Sequence, residues 1–371
     1  MKYIPIRTFY NVGDALFTVE NINGKYFIYD CGAQSNSDAE EVILKAFPKE
    51  GQSIEAVFIS HYDKDHINGI HFLLKHCNVK ILILPLFSKF NILLSYSNLI
   101  KRIDVSDNDI YFFLDTVNYI NQFSSQTRLI YIDSNNIEND NNLTNITFDD
   151  LDIDDNNNFS TNKTFSSGIK MHLERNSDWV FIIHNIQTLT SEEEKKFKDR
   201  FSSLCFEAGV ADGDIKALWE KQELCLDKDN KLKKAIQEFI ASLRGHDINS
   251  LSLTVYSGPY KVKTRSRLGC LYTGDYNTKK YFSNLHYAYN LVWKYIGVVQ
   301  VPHHGSWHNY NEKLLKEDVL AVVSLKLPLT TININRRKTF KKIVEQNAIL
   351  LPTGYYGDIT LLHNYPSLST D

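Results

Sequence analysis

The sequence predicts one layered α/β domain. Three observations carry that expectation. Short β-branched apolar runs of strand length recur along the chain. Amphipathic segments of helical period separate them. Several of the apolar runs end directly in histidine or aspartate. The 371 residues allow one large domain or two ordinary ones, and 43% hydrophobic with 12% aromatic residues can fill a sizeable core.

Taken in order, Tyr3–Ile6, Ala15–Val19 and Tyr26–Tyr29 read as three strands, with Asn21-Ile22-Asn23-Gly24 turning between the last two. Residues 38–47 read as a helix. Ala56–Ser60 is a buried strand, Ile67–His76 a helix and Val79–Leu84 a strand. Tyr111–Phe123 has helical period, and Arg128–Ile132 is a strand. Residues 104–247 read as a long insertion in a single domain spanning 1–371. The insertion comprises an Asn/Asp-rich loop at 133–162, a core-like strand at 178–186 and a helical segment at 190–245, with helices from Ser191 and over Lys231–Leu243. The loop is too polar to offset its ordering entropy, so it is expected to be exposed and removable. Ser250–Tyr256 is a strand, and an alternating segment follows. Gly269–Thr273 and Gly297–Val301 are strands, Asn311–Lys316 a helix, Leu320–Ser324 a strand and Thr339–Asn347 a helix. Ile349–Leu351 and Asp358–Leu362 close the chain as a hairpin.

Composition excludes several classes. No apolar run reaches the ~18 residues that span a membrane, and the N-terminus lacks the apolar core of a signal peptide. Five scattered cysteines without close pairs suit reduced thiols in a cytoplasmic protein. The net charge of −3 gives no global basic field. Residues 133–158, however, hold eight acids and no Lys or Arg, so the remainder of the chain is +5, which is compatible with an anionic substrate.

The chemistry concentrates in His61-Tyr62-Asp63-Lys64-Asp65-His66, directly after the Ala56–Ser60 strand. Imidazole and carboxylate together suit zinc, manganese or iron. In an extended loop His61 and Asp63 share a side, while Asp65 and His66 can face a second ion. Asp275 and the pair His303-His304 also follow short apolar runs, so all three sites could meet at one edge of a sheet pair. His172, His184 and His246 read as ordinary surface or core histidines. Lys261, Lys263, Arg265 and Arg267 alternate at period two. On a strand they share one face, either a charge-protected edge or a phosphate-facing ribbon.

The ordered set resembles the metallo-β-lactamase superfamily and is most similar to the ComEC-like hydrolase domain, the C-terminal domain of a competence protein. The matching pieces are Gly13-Asp14-Ala15, Asp30-Cys31-Gly32, the His-x-Asp-x-Asp-His loop at 61–66, Asn249–Ser252, Thr273-Gly274-Asp275, His303-His304-Gly305-Ser306 and Thr353–Ile359. The resemblance implies a metallo-β-lactamase-like αββα sandwich with two divalent ions, Zn or Mn, at one edge. It implies His61 and Asp63 on the first ion, Asp65, His66 and His304 on the second, and Asp275 bridging. Asp65 is then central to catalysis. His303 faces the substrate as an acid or phosphate contact, with Ser306 beside it. One departure stands out: the wider superfamily has a further histidine before the Thr-Gly-Asp strand, where this chain offers only His246 or Asn249.

The expected function is a metal-dependent phosphodiesterase or nuclease using a metal-activated hydroxide, with nucleic acid or another phosphodiester as partner and no membrane. Two other readings stand beside it. One is a hydrolase of a small ester, lactone or cyclic nucleotide. The other is a non-catalytic, metal-stabilised module with a protein partner on the 104–247 insertion.

Overall fold

The computed structural model describes residues 5–86, 112, 115–124, 126–137, 145–151, 163–175, 177–186, 191–211, 217, 252–262, 267–326 and 332–362. The chain starts as an antiparallel meander of β1 (Pro5–Phe9), β2 (Phe17–Ile22) and β3 (Lys25–Cys31). Asn23 and Gly24 turn the second hairpin at φ 52° and 86°, a left-handed pair that asparagine and glycine tolerate. Helix α1 (Asn36–Ala46), capped by the Ser35 hydroxyl on the Asp38 amide, crosses to the parallel β4 (Ser53–Phe58). Two short helices, α2 (Lys64–Ile67) and α3 (Ile70–His76), cross to β5 (Asn78–Leu86). Helix α4 (Thr116–Phe123) leads to β6 (Arg128–Ile137). The strands β7 (Asn145–Thr147), β8 (Lys163–Ser167), β9 (Ile169–His172) and β10 (Trp179–His184) follow, then α5 (Ser191–Ala208). The last third holds β11 (Thr254–Pro259), β12 (Gly269–Tyr272), α6 (Thr278–Ala288), β13 (Ile296–Gln300), β14 (Leu320–Val323), α7 (Ile334–Glu345), β15 (Ile349–Pro352), α8 (Thr353–Tyr356) and β16 (Ile359–Leu362).

The strands form two eight-stranded sheets, in the orders β16-β1-β2-β3-β4-β5-β6-β8 and β15-β14-β13-β12-β11-β10-β9-β7. An aromatic layer including Phe27, Phe58, Phe148, Trp179 and Phe181 fills the space between them. Residues of α1, α3, α4 and α5 cover the outer face of the first sheet, and Leu285 of α6 with Ile343 of α7 covers that of the second. The architecture is the αββα sandwich expected, of the metallo-β-lactamase type. Inside it, the Arg7 guanidinium lies 2.8 Å from Glu20 and donates to the Ser257 and Leu268 carbonyls of the opposing sheet. That buried pair ties the two sheets together. Among the described residues no helix is long and apolar enough to cross a membrane.

Four expectations need correction. The 104–247 stretch is not simply inserted. It supplies β6 and β8 to the first sheet and β7, β9 and β10 to the second. Nor is 133–162 a wholly exposed loop. β6 extends to Ile137, and Phe148 and Leu151 are buried, Phe148 with ring centres 5.2 Å from Phe27 and 5.5 Å from Phe181. Average composition hid a few well-spaced apolar side chains. The helix expected at Asn311–Lys316 is a single 3-10 turn, Glu312–Leu314. The terminal hairpin does not form, because β15 pairs with β14 in the second sheet and β16 with β1 in the first. The expected helix over Lys231–Leu243 lies outside the described residues.

Two predictions follow from this packing. Phe148→Ala should cost about 3–5 kcal/mol in urea unfolding, the usual range for a buried phenylalanine. A loss under about 1 kcal/mol would return the segment to the surface. The second concerns His184, which is buried with Nδ1 3.2 Å from the Ser167 hydroxyl. Burial pushes its imidazole down to about 4, against 6.5 ordinarily. The unfolded chain therefore takes up the proton first as pH falls. The His184 contribution is full above pH 6.5 and is lost between 6.5 and 4, by about 3 kcal/mol. Between pH 7 and 4, wild type should lose about that much more stability than His184→Phe. Equal losses would contradict this reading.

Candidate metal centre

The parallel strands β3 and β4 of the first sheet and β12 and β13 of the second all end at one edge, where their loops meet. β4 delivers Ser60 and His61, and the turn into α2 delivers Asp63, Asp65 and His66. β12 delivers Asp275 through Thr273-Gly274, and β13 delivers His303 and His304. Close backbone approach makes this possible. A Cβ on Gly32 would collide with the Asp65 carbonyl, and one on Gly274, at φ 53°, would meet the Ser60 side chain at 2.7 Å. Gln300 shapes the Asp275 turn, its Oε1 accepting from the Thr273 and Gly274 amides at 2.9 and 2.7 Å. His303, His304 and Gly305 all have positive φ (48°, 51° and 77°), a left-handed turn whose strain the surrounding packing must offset. The His303 amide is held by the Gly274 carbonyl at 3.1 Å.

The structure gathers the six expected ligands. His66 Nε2 is 3.4 Å from Asp275 Oδ1 and 3.8 Å from Asp65 Oδ2. His304 Nε2 is 3.5 Å from Asp65 Oδ2. His61 Nε2 is 3.9 Å from both Asp275 Oδ2 and Asp63 Oδ2. Among the described residues, two groups have spacing suited to an ion: His61, His66 and Asp275, and Asp65, His66 and His304. His303 stands at the rim, its side chain 35% exposed and Nε2 3.7 Å from Asp275 Oδ2, whereas the His304 side chain is 6% exposed.

Asp30 orients the first two histidines. Its carboxylate accepts from the Ser60 amide (2.6 Å) and the Ser60 hydroxyl (2.7 Å). The Ser60 proton is thereby spent, so the Ser60 oxygen accepts from His61 Nδ1–H at 2.9 Å. Asp30 also accepts from His66 Nδ1–H at 2.7 Å. Both rings are left with Nε2 aimed into the cluster. His61 Nε2, His66 Nε2, Asp275 Oδ1 and both His304 nitrogens are buried there without a hydrogen-bond partner. Buried polar atoms are costly when unpaired, and divalent ions would satisfy those that converge on one another, one atom from each residue, so the donor set fits divalent ions.

Charge follows the same geometry. Burial and the neighbouring His66 push His61 down to about 4. Burial also opposes the charged form of His66, but Asp30 and Asp275 outweigh it and hold that imidazole well above its ordinary value. Burial works against ionised Asp65, yet His304 and His66 keep it below the usual carboxylate range. For Asp275, His303 and His66 likewise overcome burial.

Of the expected phosphate ribbon, the described residues Lys261 and Arg267 do not reach this edge. β11 runs away from the cluster and β12 runs back, so the turn between them stands roughly 20 Å off at strand rise. Lys261 has φ 55° and leaves the strand, its ammonium 5.3 Å from the centre of the Tyr260 ring. Arg267 donates to the Glu317 carbonyl at 2.7 Å. Lys263 and Arg265 lie outside the described residues, as do His246 and Asn249. Ser306 does adjoin the cluster, its amide held by the His303 carbonyl at 2.9 Å. Sequence reasoning missed the roles of Asp30 and Ser60. The Asp30-Cys31-Gly32 strand end was their only signal.

Residues 4–91 match the family model of the metallo-beta-lactamase superfamily. The match spans β1 to β5 and includes the 61–66 loop. No curated protein matches the chain.

Asp30→Asn tests the orienting role. The amide keeps the shape but can no longer accept every proton pointed at it, so divalent-ion affinity should fall about 10- to 100-fold. Competition titration with a chelating dye measures this, and unchanged affinity would remove Asp30 from the centre.

Proposed function

We propose that the chain is a metal-dependent hydrolase acting on phosphodiester bonds. The observation that carries the reading is the set of buried, unpaired nitrogen and oxygen atoms of His61, His66, Asp275 and His304, converging with the Asp65 carboxylate. Two divalent ions of the zinc or manganese kind would be held there. His61 and Asp63 would serve one, Asp65, His66 and His304 the other, with Asp275 between. Such ions lower the pKa of a coordinated water toward neutrality and offset charge that develops on a substrate oxygen.

The protein's own groups do the rest. Asp30 and Ser60 hold both histidines in the ligand tautomer. Asp275 offers Oδ1 to His66 and Oδ2 to His61 and His303. His303, at the rim, would give a proton to the leaving oxygen, and the Ser306 hydroxyl would contact the phosphate. Support for a phosphodiester comes from the ordered motifs that resemble ComEC-like domains, which are associated with cleaving DNA strands. The cations of α6 and α7 beside the ligand loop add to it.

The test is hydrolysis of bis(p-nitrophenyl) phosphate, single- and double-stranded DNA and a lactone by protein loaded with Mn²⁺ or Zn²⁺. Hydrolysis of the lactone alone would sink the phosphodiester reading. His303→Ala should lower turnover by roughly 10²–10⁴ and keep its metal content, as befits a proton donor. His304→Ala should lose metal. Equal metal loss in both variants would show that His303 is a ligand.

A further inference from the structure

The loop that carries His303 and His304 continues into Trp307 and His308. The Trp307 ring packs partly against the apolar layer beneath α6 and α7. The Lys279 ammonium lies 4.6 Å from the ring centre and donates to the Trp307 carbonyl at 3.3 Å. Lys279 stands in the first turn of α6, four residues past Asp275, and its amide donates to the Asn309 carbonyl. The Asn309 side chain in turn donates to the Asp275 carbonyl at 3.1 Å. Trp307 and Lys279 are thus fastened to the backbone of a ligand.

On the other side, Asn335 Nδ2 of α7 lies 3.3 Å from His308 Nε2. Residues 334–342 hold Arg336, Arg337, Lys338, Lys341 and Lys342 with no acid. Asn335, Lys338 and Lys342 are three and four residues apart and form one row. The ends of that row touch His308 and Glu312, so Lys338 overlooks the same loop. Asp14 takes Arg336, and Glu312 and Glu345 take Lys341 and Lys342. Among the described residues, Lys279 and Lys338 have no carboxylate partner, and both are exposed.

We propose that Trp307, Lys279 and Lys338 form a docking platform for single-stranded polynucleotide at the rim of the metal edge. This rests on the phosphodiesterase reading. One base stacks on the Trp307 face now covered by Lys279, and the displaced ammonium pairs with the adjacent phosphate. The exchange is favourable because an exposed cation holds a ring more weakly than a stacked base does. Lys338 takes a further phosphate. A duplex fits less well, since its base faces are already stacked.

The probe is a fluorescein-labelled oligo(dT) of about twelve nucleotides, followed by anisotropy on the full chain in EDTA, where no hydrolysis occurs. Trp307→Ala should weaken binding about five- to 150-fold, with Trp307→Phe retaining most of the affinity. Lys338→Ala should shallow the slope of log affinity against log salt by about 0.7. Lys338 is exposed, so that variant tests the phosphate contact even if Trp307→Ala fails to fold. Wild type without measurable binding, or Trp307→Ala binding equally well, overturns the platform, and so does an unchanged salt slope in Lys338→Ala. Binding that depends on Trp307, in a protein that hydrolyses no phosphodiester with Mn²⁺, would retire the hydrolase reading and leave the platform standing.

Discussion

The Asp30 carboxylate is the constraint on which the metal edge depends. It is fully buried, at φ 55°, in a conformation that costs a non-glycine residue energy. A buried carboxylate is tolerable only when hydrogen-bonded, and Asp30 receives the Ser60 amide, the Ser60 hydroxyl and His66 Nδ1–H. Those bonds do more than solvate a charge. They settle which nitrogen of two histidines is bare. They also pull the end of β3 against the loop after β4, where the Asn68 side chain exchanges two bonds with the backbone of Ala33. A ligand set of free side chains would repel itself or hydrogen-bond internally. Here the outward nitrogens of His61 and His66 are occupied, so only their inward nitrogens remain.

Neither sheet makes the centre alone. The first supplies His61, Asp63, Asp65 and His66, and the second supplies Asp275 and His304. Their loops are joined by short contacts: the Leu253 amide on the Ser60 carbonyl at 2.7 Å, the Tyr29 hydroxyl on the Leu253 carbonyl at 2.7 Å, and the Ser252 hydroxyl 3.4 Å from His61 Nδ1. Arg7, paired with Glu20 within the first sheet, also donates to the Leu268 and Ser257 carbonyls of the second and so ties the same two sheets between their strands. Removing one partner of such a pair leaves an uncompensated buried charge at about 3–5 kcal/mol, more than most surface changes cost. The relative placement of the sheets therefore sets the ligand distances.

Much of this is legible in the sequence, because metal chemistry compresses into few residue types. His61 to His66 spells out four candidate ligands in six positions, and Asp275 and His304 follow strands whose apolar runs are plain. Local patterns failed where a residue's role depends on what approaches it from afar. Asp30 acts through Ser60 and His66, thirty and more positions away, and its own neighbourhood reads as an ordinary strand end. Phe148 sits in a tract dominated by Asn and Asp, so a composition window averages away the one ring that reaches Phe27 and Phe181. Ile349–Leu351 and Asp358–Leu362 have the spacing of a hairpin, but hydrogen-bonding partners in two different sheets separate them. Lys261 to Arg267 alternates as a strand does, yet Lys261 turns left-handed after Pro259, and periodicity carries no information on which end of a strand faces the metals.

The two adjacent histidines differ in placement in a way that the sequence does not show. They share residue type, chain position and left-handed backbone, and only their directions differ. His304 points down, with both ring nitrogens buried and unpaired and Nε2 3.5 Å from Asp65. His303 points along the rim toward Asp275 Oδ2, with a third of its side chain in solvent. On the proposed reading the buried His304 would hold metal, and His303, in reach of solvent, would donate the proton. Ser252 sharpens the contrast. Its oxygen sits 3.4 Å from His61 Nδ1, behind the ring rather than before it. It braces His61 and the Asp275 amide and adds no imidazole on their side of the cluster. The side of Asp275 that faces His61 and His303 is therefore the less crowded one. The side that faces His66 is flanked by Asp65 and His304. A catalytic ion needs an open position and a structural ion does not, so on the proposed reading the residues left for substrate and water are those on the side where His303 stands.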